Sequence, residues 1–306
     1  MTLRHLQIFL AVVDAGNMTR ASEALFIAQP TVSLAIAELE KHYGVKLFDR
    51  LSRRLYLTGP GKVLLGYARH VINLLGEMDQ AIEVESGSGS LRIGATLTIG
   101  TCLLPGFLTS FSDQYPQVRV EASIRNTRDI EHLVIRNELD LALVEGSITS
   151  KDILAQPFMV DHLVLACGLK HPFFSIDRPI PLHALDDQSF IVREQGSGTR
   201  ELFEHTMALQ QIPWKIAWEA INSDAMVQAA LNGLGIAVLS SRLITAPLHS
   251  GALRAIQVEG LDLVRAFSLV HHKNKYLTPT MQALITMILQ AGNEKDRPLR
   301  DGLSGN

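Results

Sequence analysis

Hydrophobic and polar positions along this chain change period once. Over the first 85 residues the apolar positions fall at helical spacing. Beyond residue 90 they gather in short runs separated by helical stretches. Leu3, Leu6, Leu10 and Val13, with Phe9 beside them, predict a helix over Leu3–Ala15 that Gly16 and Asn17 stop. Thr19 is suited to cap a second helix over Arg20–Leu25, in which Ala21 and Ala24 allow another helix to approach closely. Phe26 to Ala28 connect. Pro30 fits the first turn of a third helix, since its missing N–H costs nothing there. That helix runs to His42 or Tyr43 with Val32, Ile36 and Leu39 inward, and Gly44 ends it. Gln29, Thr31, Ser33, Leu34, Ala35 and Glu38 lie at its start or off that stripe. A short ribbon follows over Leu47–Thr58.

From Pro60 to Glu85 one long helical pattern runs without a break. Leu64, Ala68, Val71, Leu75, Met78 and Ile82 step alternately by four and three residues, a heptad seam suited to pairing two helices. The alternative is a single amphipathic helix packed on its own domain. Ser86-Gly87-Ser88-Gly89-Ser90 is a linker by composition. Strand-like runs then occur at Leu91–Ile93, Val118–Ile124, Leu139–Val144, Leu163–Cys167, Phe190–Val192, Ile236–Leu239, Leu253–Val258 and Phe267–His271. Helical stretches lie near Leu103–Gln114, Asp129–Asn137, Gly198–Gln210 and Asp224–Leu231. This alternation predicts α/β architecture. A last helix, Pro279–Ala291, precedes a polar tail from Asn293 that is expected to be disordered.

Composition narrows the class. With 306 residues, 47% of them hydrophobic and 19% charged, the chain is globular and long enough for two or three domains. No run of about eighteen apolar residues is present, so no membrane span is expected. His5, Gln7 and Asp14 interrupt the apolar N-terminus at helical spacing, which argues against a signal peptide and for a cytoplasmic protein. Cys102 and Cys167 suggest neither a disulfide framework nor a metal cluster and are expected in the core. Net charge is −3, but residues 1–70 hold nine basic and five acidic residues, a balance of +4. A basic head on an acidic body suggests that only the head meets phosphate.

The head has the chemistry for that. A DNA-reading helix needs short polar side chains at its N-terminus, and Gln29, Thr31 and Ser33 supply them. Arg50, Arg53 and Arg54 on the ribbon are candidates for backbone phosphates or the minor groove. A surface three-helix cap with solvated arginines is the bland alternative. In the α/β part, Gly94–Thr101 and Arg193–Arg200 each follow a strand, open a helix, and offer hydroxyls and free N–H groups. Together they suit a polar or anionic small molecule. No G-x-S-x-G elbow, phosphate-binding G-x-x-x-x-G-K loop or C-x-x-C pair is present, and His271-His272 lacks metal-ligand spacing. An enzyme is not expected. A solute-binding receptor built on the α/β part is the runner-up, and the basic head has no place in it.

Residues 1–65 resemble the N-terminal domain of the LysR-type transcriptional regulators. The likeness rests on Leu6-x-x-Phe9, Ala21-Ser22-x-Ala24-Leu25, Gln29-Pro30-x-Val32-Ser33, Ile36-x-x-Leu39-Glu40, Leu47-Phe48-x-Arg50 and Leu57-Thr58-x-x-Gly61. Leu104-Pro105, Tyr115-Pro116-x-Val118, Leu139-Asp140-Leu141-Ala142 and Gly233-x-Gly235-Ile236 extend it along the chain. The resemblance implies an α+β protein. It would have a winged helix-turn-helix over 1–59, a dimerising linker helix over 60–86, a hinge over 87–90 and an effector domain over 91–292. That domain would be a two-lobed α/β structure like the periplasmic binding proteins. Lobe I would comprise 91–161 and 267–292, lobe II 162–266, and the disordered tail 293–306.

The same resemblance assigns roles. Gln29, Pro30, Thr31, Ser33 and Leu34 would meet promoter DNA, with Arg50, Arg53 and Arg54 at the wing. Many family members carry longer polar residues where this chain has Leu34 and Ala35, which leaves apolar contact with thymine methyls or none. Leu64, Ala68, Val71, Leu75, Met78 and Ile82 would pair two copies. A small-molecule coinducer of unknown identity would bind between the lobes, near Thr98, Ile99, Gly100, Asn126, Glu145, Ser197, Thr199, Asn222 and His272. No metal or other cofactor is implied. Partners would be double-stranded DNA, the effector and the chain itself as a dimer of dimers. RNA polymerase is a candidate further partner. The location would be the bacterial cytoplasm, at the nucleoid through DNA.

Overall fold

The computed structural model describes residues 1–51, 54–85 and 90–295. Contacts divide the chain into two units, Met1–Glu85 and Ser86–Asn306. The first unit runs α1 (Leu3–Ala15), α2 (Met18–Ala24), α3 (Gln29–Tyr43), β1 (Phe48–Leu51), β2 (Arg54–Leu57) and α4 (Gly59–Glu85). The ends of α1 fall where its sequence signals place them, with Gly16 at φ 70°. Its inward face differs from the expected stripe. Leu6, Ile8, Phe9 and Val12 are buried, whereas Leu3 is exposed and Leu10 and Val13 are half-buried. Both stripes have helical spacing, and only the neighbouring helices decide between them. Asn17, not Thr19, caps α2: its side-chain oxygen accepts from the Arg20 N–H at 2.8 Å. Ser22 turns its hydroxyl back to the Thr19 carbonyl at 2.7 Å, so α2 presents a small, satisfied face.

Phe9, Val12, Ala21, Val32, Ile36, Leu39, Leu47, Phe48, Leu64 and Ala68 form the core of this unit. Phe9 meets Phe48 with ring centroids 5.4 Å apart, which ties α1 to the hairpin. Burying one such ring contributes roughly 1.5–3 kcal/mol. Glu40 joins α3 to the hairpin: it accepts from the Leu47 N–H at 3.0 Å and pairs with Lys46 at 2.5 Å. A Cβ at Gly61 would run into the Leu47 carbonyl, so only glycine lets α4 start this close to the hairpin. The Leu64 and Ala68 positions of the proposed pairing seam are therefore core positions of the head itself.

The second unit runs β3 (Ser90–Ala95), α5 (Leu97–Cys102), α6 (Leu104–Gln114), β4 (Arg119–Ile124), α7 (Thr127–Ile135), β5 (Leu141–Glu145) and β6 (Ile153–Gly168). It continues through β7 (Ser189–Arg193), α8 (Gly198–Leu209), β8 (Lys215–Ala220), α9 (Ser223–Leu231), β9 (Ile236–Ser240), α10 (Thr245–His249), β10 (Leu253–Ile256), β11 (Val264–His272) and α11 (Pro279–Lys295). Ser90, expected in the hinge, is the first residue of β3. The hinge residues 87–89 lie outside the described residues. Helix α11 continues to Lys295, beyond the expected start of a disordered tail, and residues 296–306 are outside the described ones.

Among the described residues the strands order as β4-β3-β5-β11-β6-β9-β7-β8, with β10 also on β6. The architecture is the two-lobed α/β structure. Two strands cross between lobes. Residues 153–162 of β6 pair antiparallel with β11, and residues 163–166 pair with β9. Each lobe has a layer of helices on both faces of its strands. Leu91, Ile93, Phe107, Phe111, Phe267 and Leu284 fill one side of the first lobe, and Ile130, Val134, Val144 and Val270 the other. Phe190, Phe203, Met207 and Ile236 centre the second lobe, with Ile191, Met226 and Leu239 behind them. Strands buried on both faces read as unbroken apolar runs, as Leu141–Glu145 does. The edge strand β8 gave no such signal, because Lys215–Glu219 is exposed throughout. Of the two cysteines, Cys167 is buried as expected and Cys102 is exposed.

Candidate functional site

The first unit offers a polar helix face. Helix α3 begins at Gln29 with Pro30 in its first turn and no side-chain cap, so its first N–H groups are unclaimed by a side chain. Gln29, Pro30, Thr31 and Leu34 are exposed and Ser33 is half-buried. Ala35, grouped with the outward residues from sequence, is buried with Val32, Ile36 and Leu39. It packs α3 into the core of the head. Strands β1 and β2 pair Phe48 with Leu57 through Leu51 with Arg54, which makes a hairpin beside α3. Arg50 and Arg54 stand at strand positions of this wing, and Arg53 lies outside the described residues.

The turn before α3 is costly. Phe26 has φ 53° and is 95% exposed. It closes α2 in the left-handed position normally held by glycine, where the Ile27 N–H reaches the Ser22 carbonyl at 3.0 Å. A side chain there costs roughly 1–2 kcal/mol, less for asparagine. Phe26→Asn should therefore stabilise the protein by about 0.5–1 kcal/mol. Calorimetry checks this, and a lower melting temperature would contradict it.

Helix α4 exposes a different apolar stripe from the one its heptads suggest. Val63, Tyr67, Val71, Leu74, Met78 and Ile82 are exposed, while Leu75 is half-buried. The stripes share Val71, Met78 and Ile82. They part near the head, where Leu64 and Ala68 face inward and Val63 and Tyr67 outward.

In the second unit the sequence-predicted residues divide into two groups. Thr98, Glu145, Ser197 and Thr199 come together where the crossing strands meet the starts of α5 and α8. The Thr98 N–H donates to Glu145 Oε1 at 2.8 Å, and its hydroxyl to Oε2 at 2.9 Å. The Thr199 hydroxyl donates to the same oxygen at 3.3 Å. Ser197 opens α8 and is buried, without a side-chain cap bond. The others do not converge here. Ile99 is fully buried in the first-lobe core. Gly100 is glycine because a Cβ would press on the Ile124 side chain at 2.7 Å. Asn126 and Asn222 cap α7 and α9 through bonds to the Asp129 and Ala225 N–H groups. His272 ends β11 opposite Ile153, seven residues from Arg265, which at about 3.3 Å per residue is beyond reach.

Charged residues on the crossing strands complete the cluster. Arg265 on β11 donates to the Thr199 hydroxyl at 2.8 Å and the Thr98 hydroxyl at 3.2 Å. It pairs with Glu145 and, through Nε at 2.9 Å, with Asp161 on β6. Ser240 donates to Asp161 at 2.8 Å, and Arg242 lies 3.4 Å from it. Phe267 lies under both Arg242 and Arg265, at 5.9 and 5.5 Å. Burial pushes the Glu145 carboxyl up, but Arg265, the two Thr98 donors and Arg193 more than offset this and hold it below the usual carboxylate range. Asp161 and Arg265 went unmarked in sequence. The available signal was a charge inside each of two apolar strands, V-D-H-L-V and R-A-F-S-L-V.

The lobes also touch through backbone. Thr127 donates its hydroxyl to the Glu145 carbonyl at 3.1 Å and accepts from the Gly198 N–H at 3.2 Å. A Cβ on Gly198 would overlap the Glu145 carbonyl, so this approach needs glycine. A groove of ≈ 380 Å³ adjoins this cluster, lined by Val160, Asp161, His162, Arg242, Thr245 and His249, among others. Among the described residues no acid, histidine and cysteine group is placed to hold a metal. No helix among them is long and apolar enough to cross a membrane.

Two family models match. The model for the lysR-family bacterial regulatory helix-turn-helix protein covers residues 3–62, and that for the LysR substrate binding domain covers residues 85–293. The chain is 33% identical over 289 residues to the uncharacterized HTH-type transcriptional regulator YeiE of Escherichia coli strain K12, covering 93% of this chain and 96% of that protein. Among solved structures it resembles the CcmR regulatory domain of Synechocystis PCC6803 in complex with 2-PG. That match has a TM-score of 0.62 at 27% identity, over 67% of this chain and 98% of that one. Full-length CbnR complexed with its target DNA shares the fold at TM-score 0.63 and 20% identity, over 95% and 100% of the two chains. The chain thus belongs to the LysR family of DNA-binding, effector-responsive transcriptional regulators, a family of regulators rather than enzymes.

Proposed function

We propose that this regulator reads promoter DNA with Gln29, Pro30, Thr31, Ser33 and Leu34. The wing arginines Arg50, Arg53 and Arg54 hold phosphates beside them. Two copies pair along the exposed stripe of α4, and pairs assemble further into a dimer of dimers in the bacterial cytoplasm. The effector is small and polar or anionic, and it binds where lobe I (91–161 and 267–292) meets lobe II (162–266). The observation that carries this reading is the convergence of Thr98 and Thr199, one from each lobe, on a single carboxylate beside Arg265. Donors from both lobes on one acceptor make lobe closure sensitive to what occupies that point. The Synechocystis regulatory domain, in complex with 2-PG, supports a small ligand in this kind of domain.

DNase footprinting with and without added small acids tests the proposal. A partly two-fold protected region is expected, with its extent changed by the active ligand. Thr31→Ala and Ser33→Ala should alter sequence preference by about 1–3 kcal/mol at the contacted base pair. Arg53→Ala should weaken all sequences alike and flatten the salt dependence. Protection without sequence preference at moderate salt would remove the DNA-reading assignment.

A further inference from the structure

The Glu145 carboxylate is held as a bound acid would be held. Four donors converge on it: the Thr98 N–H, the Thr98 hydroxyl, the Thr199 hydroxyl and the Arg265 guanidinium. They come from α5 in the first lobe, α8 in the second and β11 between them. Oε1 accepts the Thr98 N–H, and Oε2 faces the two threonine hydroxyls and the guanidinium. Arg265 also pairs with Asp161 at 2.8 and 2.9 Å. Arg242 in turn faces Asp161 at 3.4 Å. The row Arg242, Asp161, Arg265, Glu145 alternates in sign and sums to zero. Any free anion added to the Thr98, Thr199 and Arg265 donors leaves the row with an uncompensated buried negative charge.

We propose that Glu145 is an internal anion occupying the subsite for the effector's acidic group, and that the effector enters by displacing it. This rests on the interlobe reading of the effector site. The ligand class is a small molecule with one compact oxyanion head, carboxylate or a tetrahedral oxyanion, because the donors serve the oxygens of a single group. Glu145 is tethered to β5, so it returns whenever the ligand leaves, and it links the lobes in the ligand's absence. Small oxyanions therefore bind against an internal competitor, and only ligands whose remaining contacts outweigh Glu145 stay bound. Selectivity comes from that threshold rather than from the anion subsite itself.

The test measures sulfate and acetate binding to the full-length protein by titration calorimetry, with chloride at matched ionic strength as control. Glu145→Gln keeps the side-chain size and removes the charge. Sulfate should bind this variant at least about tenfold more tightly than wild type, the usual scale for removing one like charge at a site. Adding Thr98→Val should reverse that gain. Sulfate binding that is unchanged or weakened by Glu145→Gln, in a variant that melts cooperatively, overturns the inference. Should Glu145→Gln fail to fold, Glu145→Asp, which draws the carboxylate back from its donors, is expected to bind sulfate more tightly than wild type. Equal or weaker binding there is equally fatal. Loss of sulfate binding with Thr98→Val in the wild-type background, combined with weakening by Glu145→Gln, rejects the internal anion and leaves the interlobe site standing. Sulfate binding indifferent to Thr98→Val in every background places the anion elsewhere and rejects both.

Discussion

Arg265→Met is expected to destabilise the effector domain by about 3–5 kcal/mol, a large part of the 5–15 kcal/mol that holds a typical domain folded. Its guanidinium is buried against Glu145 and Asp161, and both carboxylates are buried themselves. Methionine would fill the volume over Phe267 but leave Glu145 without a cation in contact. For a domain of this size the loss corresponds to roughly 6–20 °C in melting temperature. Its pH dependence has a definite sign. In the wild type the Glu145 carboxyl is held below the usual range. Its contribution is thus present above the unfolded carboxylate pKa and lost as pH falls through the folded one. In the variant burial acts unopposed by Arg265 and raises the Glu145 pKa. Its penalty is then largest at neutral pH and shrinks as acid neutralises the group. Calorimetric scans across the acid range check both size and sign. A deficit under about 1 kcal/mol, or one that grows with acid, would contradict the electrostatic account.

The double variant Val71→Glu, Met78→Glu is expected to run as a monomer in sedimentation. It should bind a two-half-site operator about 100-fold or more weakly, because the second head no longer acts at high effective concentration. Both residues lie on the exposed apolar stripe of α4 and on the heptad seam. Neither belongs to the core of the head, so the head should still fold and bind an isolated half-site with unchanged affinity. By contrast Leu64→Glu should unfold the head, since Leu64 is buried with Phe9 and Leu47. A dimer that survives both glutamates would place the subunit contact off α4.

Much of the secondary structure was legible. Gly16 and Gly44 end their helices in left-handed conformations, and Pro30 opens α3, because these residues carry strong local preferences. The interior strands were legible as apolar runs. Strand β8 was not, since an exposed edge has no core-facing pattern. At the interlobe cluster, hydroxyls after two strands pointed to Thr98 and Thr199. The same logic selected Asn126 and Asn222, whose side-chain oxygens serve as caps. It also admitted Ile99, which is fully buried in the first-lobe core.

What lay in the chain alone was spacing: how many turns each helix makes, where it stops, and which stretches form strands. Spacing does not set phase. On α1 and α4 two stripes one residue apart are equally helical, and only the packing of Phe9, Leu64 and Ala68 into one core chose which is inward. Nor does spacing pair distant charges. Glu145, Asp161 and Arg265 lie on three different strands, more than 100 positions apart at the extremes, and each alone is only a charge in an apolar run. Folding brings them together away from water, where their attraction is strong and an unmatched charge is costly. That cluster, which local pattern cannot encode, is where the proposed effector site lies.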